Sequence, residues 1–169
     1  MENTAKEREE LIEMFGMHFE SLYHVPPLAA RIMGVLIVDG CKSGLTFEAL
    51  VEKLSASKSS ISTNLKLLLS MEKVFYFTLS GDRKKYFRSA RLSDRLNNYL
   101  KMIEAEGKII NRMHEYRVKT ASCAEEIANL NNIVSYKNHI QQIEKSFEHT
   151  IAEFKKIEIQ NDIKQQINN

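Results

Sequence analysis

The sequence lacks tryptophan and contains only two prolines and two cysteines in 169 residues. The prolines are adjacent, at Pro26 and Pro27, so helices can run uninterrupted on either side of them. The cysteines, Cys41 and Cys123, lie far apart and outside any CxxC motif, so we expect no structural disulfide. No apolar run approaches the roughly 18 residues of a membrane span, which predicts a chain that does not cross a membrane.

Several functional motifs are missing as well. The first residues, MENTAKEREE, are acidic and lack the apolar stretch of a signal peptide, which predicts a cytoplasmic protein. The sequence has no glycine-rich phosphate loop, no HExxH motif and no evident nucleophile–base set. We therefore expect neither an enzyme nor a bound cofactor.

The histidines do not form a metal-binding pattern. No two of them have HxxxH spacing, and none is clustered with a cysteine; they are His18, His24, His114, His139 and His149. We expect no metal site, and sensing of metal or redox state through these histidines or the two cysteines is the weaker alternative. His18 falls within an apolar helical stripe and is predicted to pack in the core.

Hydrophobic periodicity and turn residues predict a mainly helical chain with one pair of strands. The expected elements are a helix over Thr4–Ser21, a second from about Pro27 to Val38, a third capped by Thr46, a fourth from Ser57 to about Ser70, and strands in KVFYFTLS and KKYFR. From Arg91 onward there is no proline and a single glycine, Gly107, which indicates long helices carrying two apolar stripes.

The fourth helix has two contrasting faces. Ile61, Leu65 and Leu68 fall together on the side expected to be buried. The opposite side carries Ser59, Ser62, Thr63 and Lys66, and no acidic residue occurs between Lys53 and Glu72. Hydroxyl side chains are poor helix formers, so their presence here indicates a function other than stabilising the helix. A slim, acid-free face of this kind can approach DNA closely, which favours contact with the major groove. A capped surface helix that binds nothing is the alternative.

A basic turn follows that helix. The segment SGDRKKYFR places Arg83, Lys84 and Lys85 at the tip of the predicted strand pair. Residues 46–88 carry eight basic and four acidic residues, a net charge of +4, whereas the whole chain has a net charge of +2. This concentration of positive charge favours a polyanionic partner. Helix, turn, helix and basic hairpin in this order predict a winged helix-turn-helix with a small β-hairpin wing.

Residues 25–90 resemble a winged helix of the MarR family, and in particular its GbsR-like branch. The matching stretches are PPLAARIMGVL, LTFEALVEKLSASKSSISTNLKLLLS and GDRKKYFR. The resemblance implies a dimeric bacterial transcription regulator that binds pseudo-palindromic double-stranded DNA. It places the hydroxyl-rich helix in the major groove and the wing tip on the DNA. The expected DNA-binding residues are Lys58, Ser59, Ser60, Ser62, Thr63, Lys66, Arg83 and Lys84.

The chain is expected to divide into three parts. Residues 1–24 form an N-terminal helix, residues 25–90 the DNA-binding domain, and residues 91–169 a helical dimerisation region. The apolar stripes of residues 5–22 and 91–158 predict an obligate homodimer, since the small domain offers them little cover. An intramolecular hairpin packed on the winged helix is the alternative.

Together these features predict a homodimeric transcription repressor controlled by a small-molecule effector, whose ligand residues the sequence does not identify. The alternative is a winged-helix module that binds another protein and not DNA. A protein-binding wing has no need of a block with a net charge of +4 and an acid-free helix face, which favours the first interpretation.

Overall fold

The computed structural model describes residues 2–167, and it confirms the expected mainly helical fold with a small β-sheet. Two compact units can be distinguished, the first ending at Ala90 and the second beginning at Arg91. The elements are α1 (Glu2–Tyr23), α2 (Pro27–Val38), β1 (Leu45–Thr46), α3 (Phe47–Leu54), α4 (Lys58–Ser70), β2 (Val74–Thr78), β3 (Lys85–Ser89), α5 (Leu92–Thr120) and α6 (Ala124–Ile167).

Helix α2 is the centre of the first unit. It begins at Pro27, whose missing N–H has no partner to lose in the first helical turn. Seven of its twelve residues are buried, which matches the prediction that this helix is central. Helix α1 packs closely against it at Gly34, where a Cβ atom would lie only 2.8 Å from the Ile12 carbonyl oxygen. The absence of a side chain at Gly34 therefore permits the α1–α2 contact.

Helix α1 has two apolar faces, whereas the sequence predicted one. Ile12 and Phe19 are buried against the core, and the Phe19 ring stacks between Phe15 and Tyr23 at centroid distances of 5.7 Å on each side. The sequence predicted a single stripe of Leu11, Met14, Phe15, His18, Phe19 and Leu22, and four of these residues remain exposed: Leu11, Met14, His18 and Leu22. The prediction that His18 packs in the core is wrong, because the core-facing row of the helix lies one position further along.

A partly buried ion-pair cluster ties α1 to the helix-turn-helix. Asp39, the C-cap residue that follows α2, accepts hydrogen bonds from Arg8 Nε and Nη2, and Lys53 Nζ lies 3.0 Å from its carboxylate. The Asp39 side chain is only 13% exposed. The hydrogen bonds from Arg8, aided by Lys53, hold the pKa of Asp39 below its ordinary value.

We expect Asp39→Asn to destabilise the first unit by about 1–2 kcal/mol, because Arg8 and Lys53 lose their charged partner while remaining half-exposed to water. The effect depends on pH. Since the folded-state pKa is depressed, the stabilisation is present above the unfolded value of about 3.9 and is lost as the pH falls through the folded value.

The unfolding temperatures of the native protein and the variant should therefore begin to converge as the pH falls below about 4, and should meet below the depressed pKa of Asp39. The control is Glu13→Gln, which removes the exposed pair with Arg31 and should change stability by less than about 1 kcal/mol. An equal loss of stability in Asp39→Asn and Glu13→Gln at pH 7 would contradict the stabilising role assigned to Asp39.

The sheet has three antiparallel strands in the order β1-β3-β2, one more than the sequence predicted. Strand β1 comprises only Leu45 and Thr46, which pair with Phe87 and Tyr86. Two residues are too few to show alternation, so the sequence pattern contained no signal for this strand. Gly44 precedes it with φ of 70°, and a Cβ atom there would lie 2.9 Å from the Phe87 carbonyl oxygen.

The second unit is an antiparallel helical hairpin of α5 and α6. Its buried or half-buried positions recur at alternating intervals of three and four, as in a coiled coil. The apolar seam is formed by Leu96, Leu100, Ile103 and Ile110 on α5 and by Leu130, Ile133, Ile140, Phe147, Ile151 and Phe154 on α6.

Polar contacts close both ends of the hairpin. Ser93 Oγ donates to Glu158 at 2.6 Å, and Arg117 Nη1 donates to Glu126 at 3.2 Å near the connection. Within residues 2–167, no helix combines the length and the apolarity that a membrane span requires.

Candidate nucleic-acid interface

Helices α3 and α4 form the helix-turn-helix, and side-chain caps fix where each begins. Thr46 Oγ1 accepts from the backbone N–H of Ala49, and Ser57 Oγ accepts from that of Ser60, both at 3.2 Å. These are the two caps that the sequence predicted. Between the helices, Ser55 adopts a left-handed conformation with φ of 48°, which reverses the chain within three residues.

The faces of α4 are arranged as the sequence predicted. Ile61, Leu65 and Leu68 are all buried in the core of the first unit. On the outer side, the exposed residues of the central ridge are Lys58, Ser59, Thr63 and Lys66. Ser60 and Ser62 are half-buried on the two flanks of this ridge. The exposed Ser70 extends the ridge by one turn, and its spacing of four from Lys66 is the signal that could have identified it.

The serine hydroxyls at the start of α4 contact one another. Ser57 Oγ lies 3.0 Å from Ser59 Oγ and 2.8 Å from Ser60 Oγ, while Asn64 Nδ2 donates to the Ser60 carbonyl at 2.8 Å. The Ser60 hydroxyl is therefore hydrogen-bonded to Ser57, the residue that caps α4. Thr63 makes no such contact with any described residue, which leaves its hydroxyl and methyl groups directed at solvent.

Half of the basic residues counted in this region are engaged within the fold. Lys73 is buried, with Nζ 4.1 Å from the centroid of the Tyr23 ring. Lys53 pairs with Asp39, and Arg88 donates to the Lys42 carbonyl at 2.6 Å while covering the Phe77 ring. Lys85 lies 4.2 Å above the Tyr76 ring.

The other four basic residues are exposed, and none makes a side-chain hydrogen bond or ion pair with any residue that the structure describes: Lys58, Lys66, Arg83 and Lys84. Their charges are thus available to a partner. They are also the four cations that the sequence assigned to DNA binding, whereas a count of charges alone would have included Lys73 and Arg88.

Asp82 organises the tip of the wing. It follows Gly81, whose φ is 81°, and its carboxylate accepts from the backbone N–H of Lys84 at 2.9 Å and from the Tyr86 hydroxyl at 2.7 Å. The Lys84 N–H is the main cause of the lowered pKa of Asp82, and the carboxylate in turn raises the pKa of Tyr86. The one acid of the wing is therefore turned inward, while Arg83 and Lys84 project into solvent.

The cysteines and histidines are not gathered into a site. Cys41 and Cys123 are free and exposed, on different units of the chain. Over the described residues, no three histidine, cysteine, aspartate or glutamate side chains are grouped so that they could hold a metal ion.

The architecture of the first unit defines a winged helix-turn-helix protein. No protein-family model matches the chain. The HTH-type transcriptional regulator MmpR5 of Mycobacterium tuberculosis is 35% identical over 79 residues, which are 47% of each sequence. The chain thus spans about half the length of the curated relative that it matches. Both the similarity and the fold place this chain with helix-turn-helix proteins.

A crystal structure described as a transcriptional regulator superposes with a TM-score of 0.60 at 20% identity, over 89% of this chain and 99% of the other. MepR, a transcription regulator of the Staphylococcus aureus multidrug efflux pump MepA, superposes more loosely, with a TM-score of 0.40 at 19% identity over 76% and 90% of the two chains.

The first superposition agrees with the fold that the resemblance implies, while membership of the MarR family and of its GbsR-like branch stays a prediction. MmpR5 and the first superposed protein are described as regulators and not as enzymes, which agrees with the expectation for this chain.

Proposed function

We propose that the chain is a sequence-specific, DNA-binding transcription regulator that acts as a homodimer. Helix α4 enters the major groove of double-stranded DNA. Its contacts come from Lys58, Ser59, Ser60, Ser62, Thr63 and Lys66. Arg83 and Lys84 reach from the wing to the adjacent phosphates or minor groove.

One observation carries this proposal: the exposed ridge of α4 is slim, hydroxyl-rich and free of acids, and four unpaired cations lie on it and on the wing tip: Lys58, Lys66, Arg83 and Lys84. Short hydroxyl side chains permit close approach to base edges, and unpaired cations release counterions when they neutralise phosphates. A face that served only solvation would more often carry glutamate, which occurs on the outer side of α1 but nowhere on α4.

Homodimerisation is proposed because apolar faces remain uncovered on both units. On α1, Leu11, Met14 and Met17 are exposed. On one side of the hairpin, α5 contributes Met102, Ile109, Met113 and Tyr116, and α6 contributes Tyr136 and Ile143. The hydrogen bond from Tyr136 to Glu106, at 2.5 Å, places the α5 and α6 rows on the same side. A second copy would cover these faces and set two recognition helices at a fixed spacing.

The resemblance to MarR-type regulators favours repression over activation. A small-molecule effector would act by favouring one spacing of the two recognition helices over another.

Fluorescence anisotropy tests the DNA-binding function. The full chain is titrated into a labelled duplex from upstream of its own gene and into a scrambled duplex, each at two salt concentrations. We expect tighter binding to the upstream duplex, weakened by salt. Weak and equal binding to both duplexes would count against the function.

Replacing Lys66 or Arg83 by alanine should weaken binding to every duplex and make the salt dependence shallower. Each lost phosphate contact removes about one released counterion, so the slope of log K against log salt should fall by about 0.9. The control is Lys101→Ala, which removes an exposed lysine of α5 that is not among the proposed DNA-binding residues. A slope unchanged from the native value in both variants would mean that these residues do not contact phosphate.

A further inference from the structure

The second unit contains a groove on the side of the hairpin opposite its exposed apolar face. The groove has a volume of about 280 Å³ and lies between α5 and α6 around Gly107. Gly107 leaves a notch in the seam, since a Cβ atom there would only just reach Ile140, at 3.5 Å. The floor of the groove is therefore apolar and is formed by Gly107, Ile110 and Ile140.

The rim of the groove is polar and carries both signs of charge. The rim residues are Glu104, Lys108, Asn111, Lys137, Gln141 and Glu144. Within the described part of the chain, none of these six side chains forms a hydrogen bond or an ion pair. Elsewhere the hairpin does pair its polar seam residues, as Ser93 with Glu158 and Arg117 with Glu126. The six rim side chains are thus available to a ligand.

The charges are also sorted along the groove. Because the helices are antiparallel and Gly107 lies opposite Ile140, Glu104 and Glu144 lie at one end, three and four residues from these positions. Lys137 and Asn111 lie at the other end by the same reasoning, and Lys108 lies between. The spacing from Glu104 to Lys108 is about 6 Å along the helix axis, and that from Glu144 to Lys137 is about 10 Å.

We propose that this groove binds a small dipolar ligand whose ammonium and carboxylate groups are separated by the length of a dipeptide. The ammonium lies between Glu104 and Glu144, which relieves the repulsion between two carboxylates at the same end. The carboxylate accepts from Lys137 and Lys108, and the intervening apolar atoms lie on Gly107 and Ile140. An extended dipeptide spans about 7 Å. This length falls between the spacings of the two Glu–Lys pairs, about 6 Å and about 10 Å along the helix axis.

An effect of this ligand on DNA binding rests on the proposed function. Binding of the ligand to the groove does not. A ligand in this groove contacts both helices of the hairpin at the level of the seam. It would therefore favour one arrangement of the two helices, and with it one arrangement of the proposed dimer.

Isothermal titration calorimetry of the full chain, without DNA, tests the proposal with the dipeptide Ala-Ala as probe. The matched probes are N-acetyl-Ala-Ala, which lacks the ammonium, and Ala-Ala amide, which lacks the carboxylate. We expect saturable binding of Ala-Ala at millimolar concentration or below, and at least tenfold weaker binding of each capped peptide. Absence of saturable binding, or equal binding of all three peptides, would overturn the proposal.

Variants locate the binding. Glu144→Gln and Lys137→Gln should each weaken Ala-Ala binding at least tenfold, while Glu148→Gln, on the same helix but outside the groove, should not. Gly107→Leu fills the notch and should abolish binding, and its thermal unfolding confirms that the hairpin still folds. Undiminished binding by Gly107→Leu would refute this location. The calorimetry contains no DNA, so the two proposals are tested separately. Absence of dipeptide binding would leave the proposed DNA-binding function standing, and absence of DNA binding would leave a measured dipeptide affinity standing.

Discussion

Replacing Thr63 by glutamate should lower DNA affinity by at least about 100-fold, or roughly 2.7 kcal/mol, without unfolding the protein. Thr63 is exposed in the middle of the α4 ridge, where no acid occurs from one end of the helix to the other. A carboxylate there would face DNA phosphates and base edges at close range. Because the side chain is exposed and forms no hydrogen bond with any described residue, stability should change by less than about 0.5 kcal/mol.

The matched control is Thr63→Gln, which has the size of glutamate without its charge. We expect that variant to lose far less affinity than Thr63→Glu, so the difference between the two measures repulsion and not bulk. Anisotropy titrations report the affinity, and thermal unfolding reports the fold. Native affinity in the Glu variant would place the recognition surface on another part of the molecule.

Replacing Ile109 by glutamate should convert the protein from dimer to monomer. Ile109 is 67% exposed within one chain, at the centre of the apolar row on the side of the hairpin, so the isolated fold has no need of it. A charge buried there between two copies would be without a partner. Solution mass should fall from twice 19.5 kDa to 19.5 kDa at micromolar concentration.

The Ile109→Glu variant should also bind DNA about 100-fold or more weakly. In a dimer, binding of one copy to its half-site raises the effective concentration of the other copy at the second half-site, and a monomer loses this gain. Asn138→Glu is the control, because Asn138 is exposed on the opposite side of the same hairpin. A native protein that already has a mass of 19.5 kDa, or an Ile109→Glu variant that stays dimeric, would contradict the proposed interface.

The first unit could be read largely from the sequence because its signals are local. Pro27 and Ser57 mark the starts of α2 and α4, and the caps are formed as the spacing predicted. The outward position of Lys66 follows from the shared buried side of Ile61, Leu65 and Leu68, opposite which it lies on the helix. Each of these features depends on residues within one or two turns of helix.

What the sequence left open depends on contacts distant in the chain. Whether Lys73 offers its charge to DNA could not be known before its ammonium was found over the Tyr23 ring, fifty residues away. The inward row of α1 could not be separated from its exposed row, because Leu11 and Ile12 are both apolar. The groove required the register of α5 against α6, which brings Glu104 and Glu144 to the same end.

Selection from a pool of random duplex DNA tests the central claim most directly, because the operator sequence need not be chosen beforehand. The native protein should enrich one inverted repeat, with half-site centres about 10 base pairs apart and each half-site read by one copy of α4. The Thr63→Glu variant, carried through the same cycles, should enrich nothing. Failure of the native protein to enrich any motif, or enrichment of the same motif by both proteins, would contradict the assignment of α4 as the element that reads DNA.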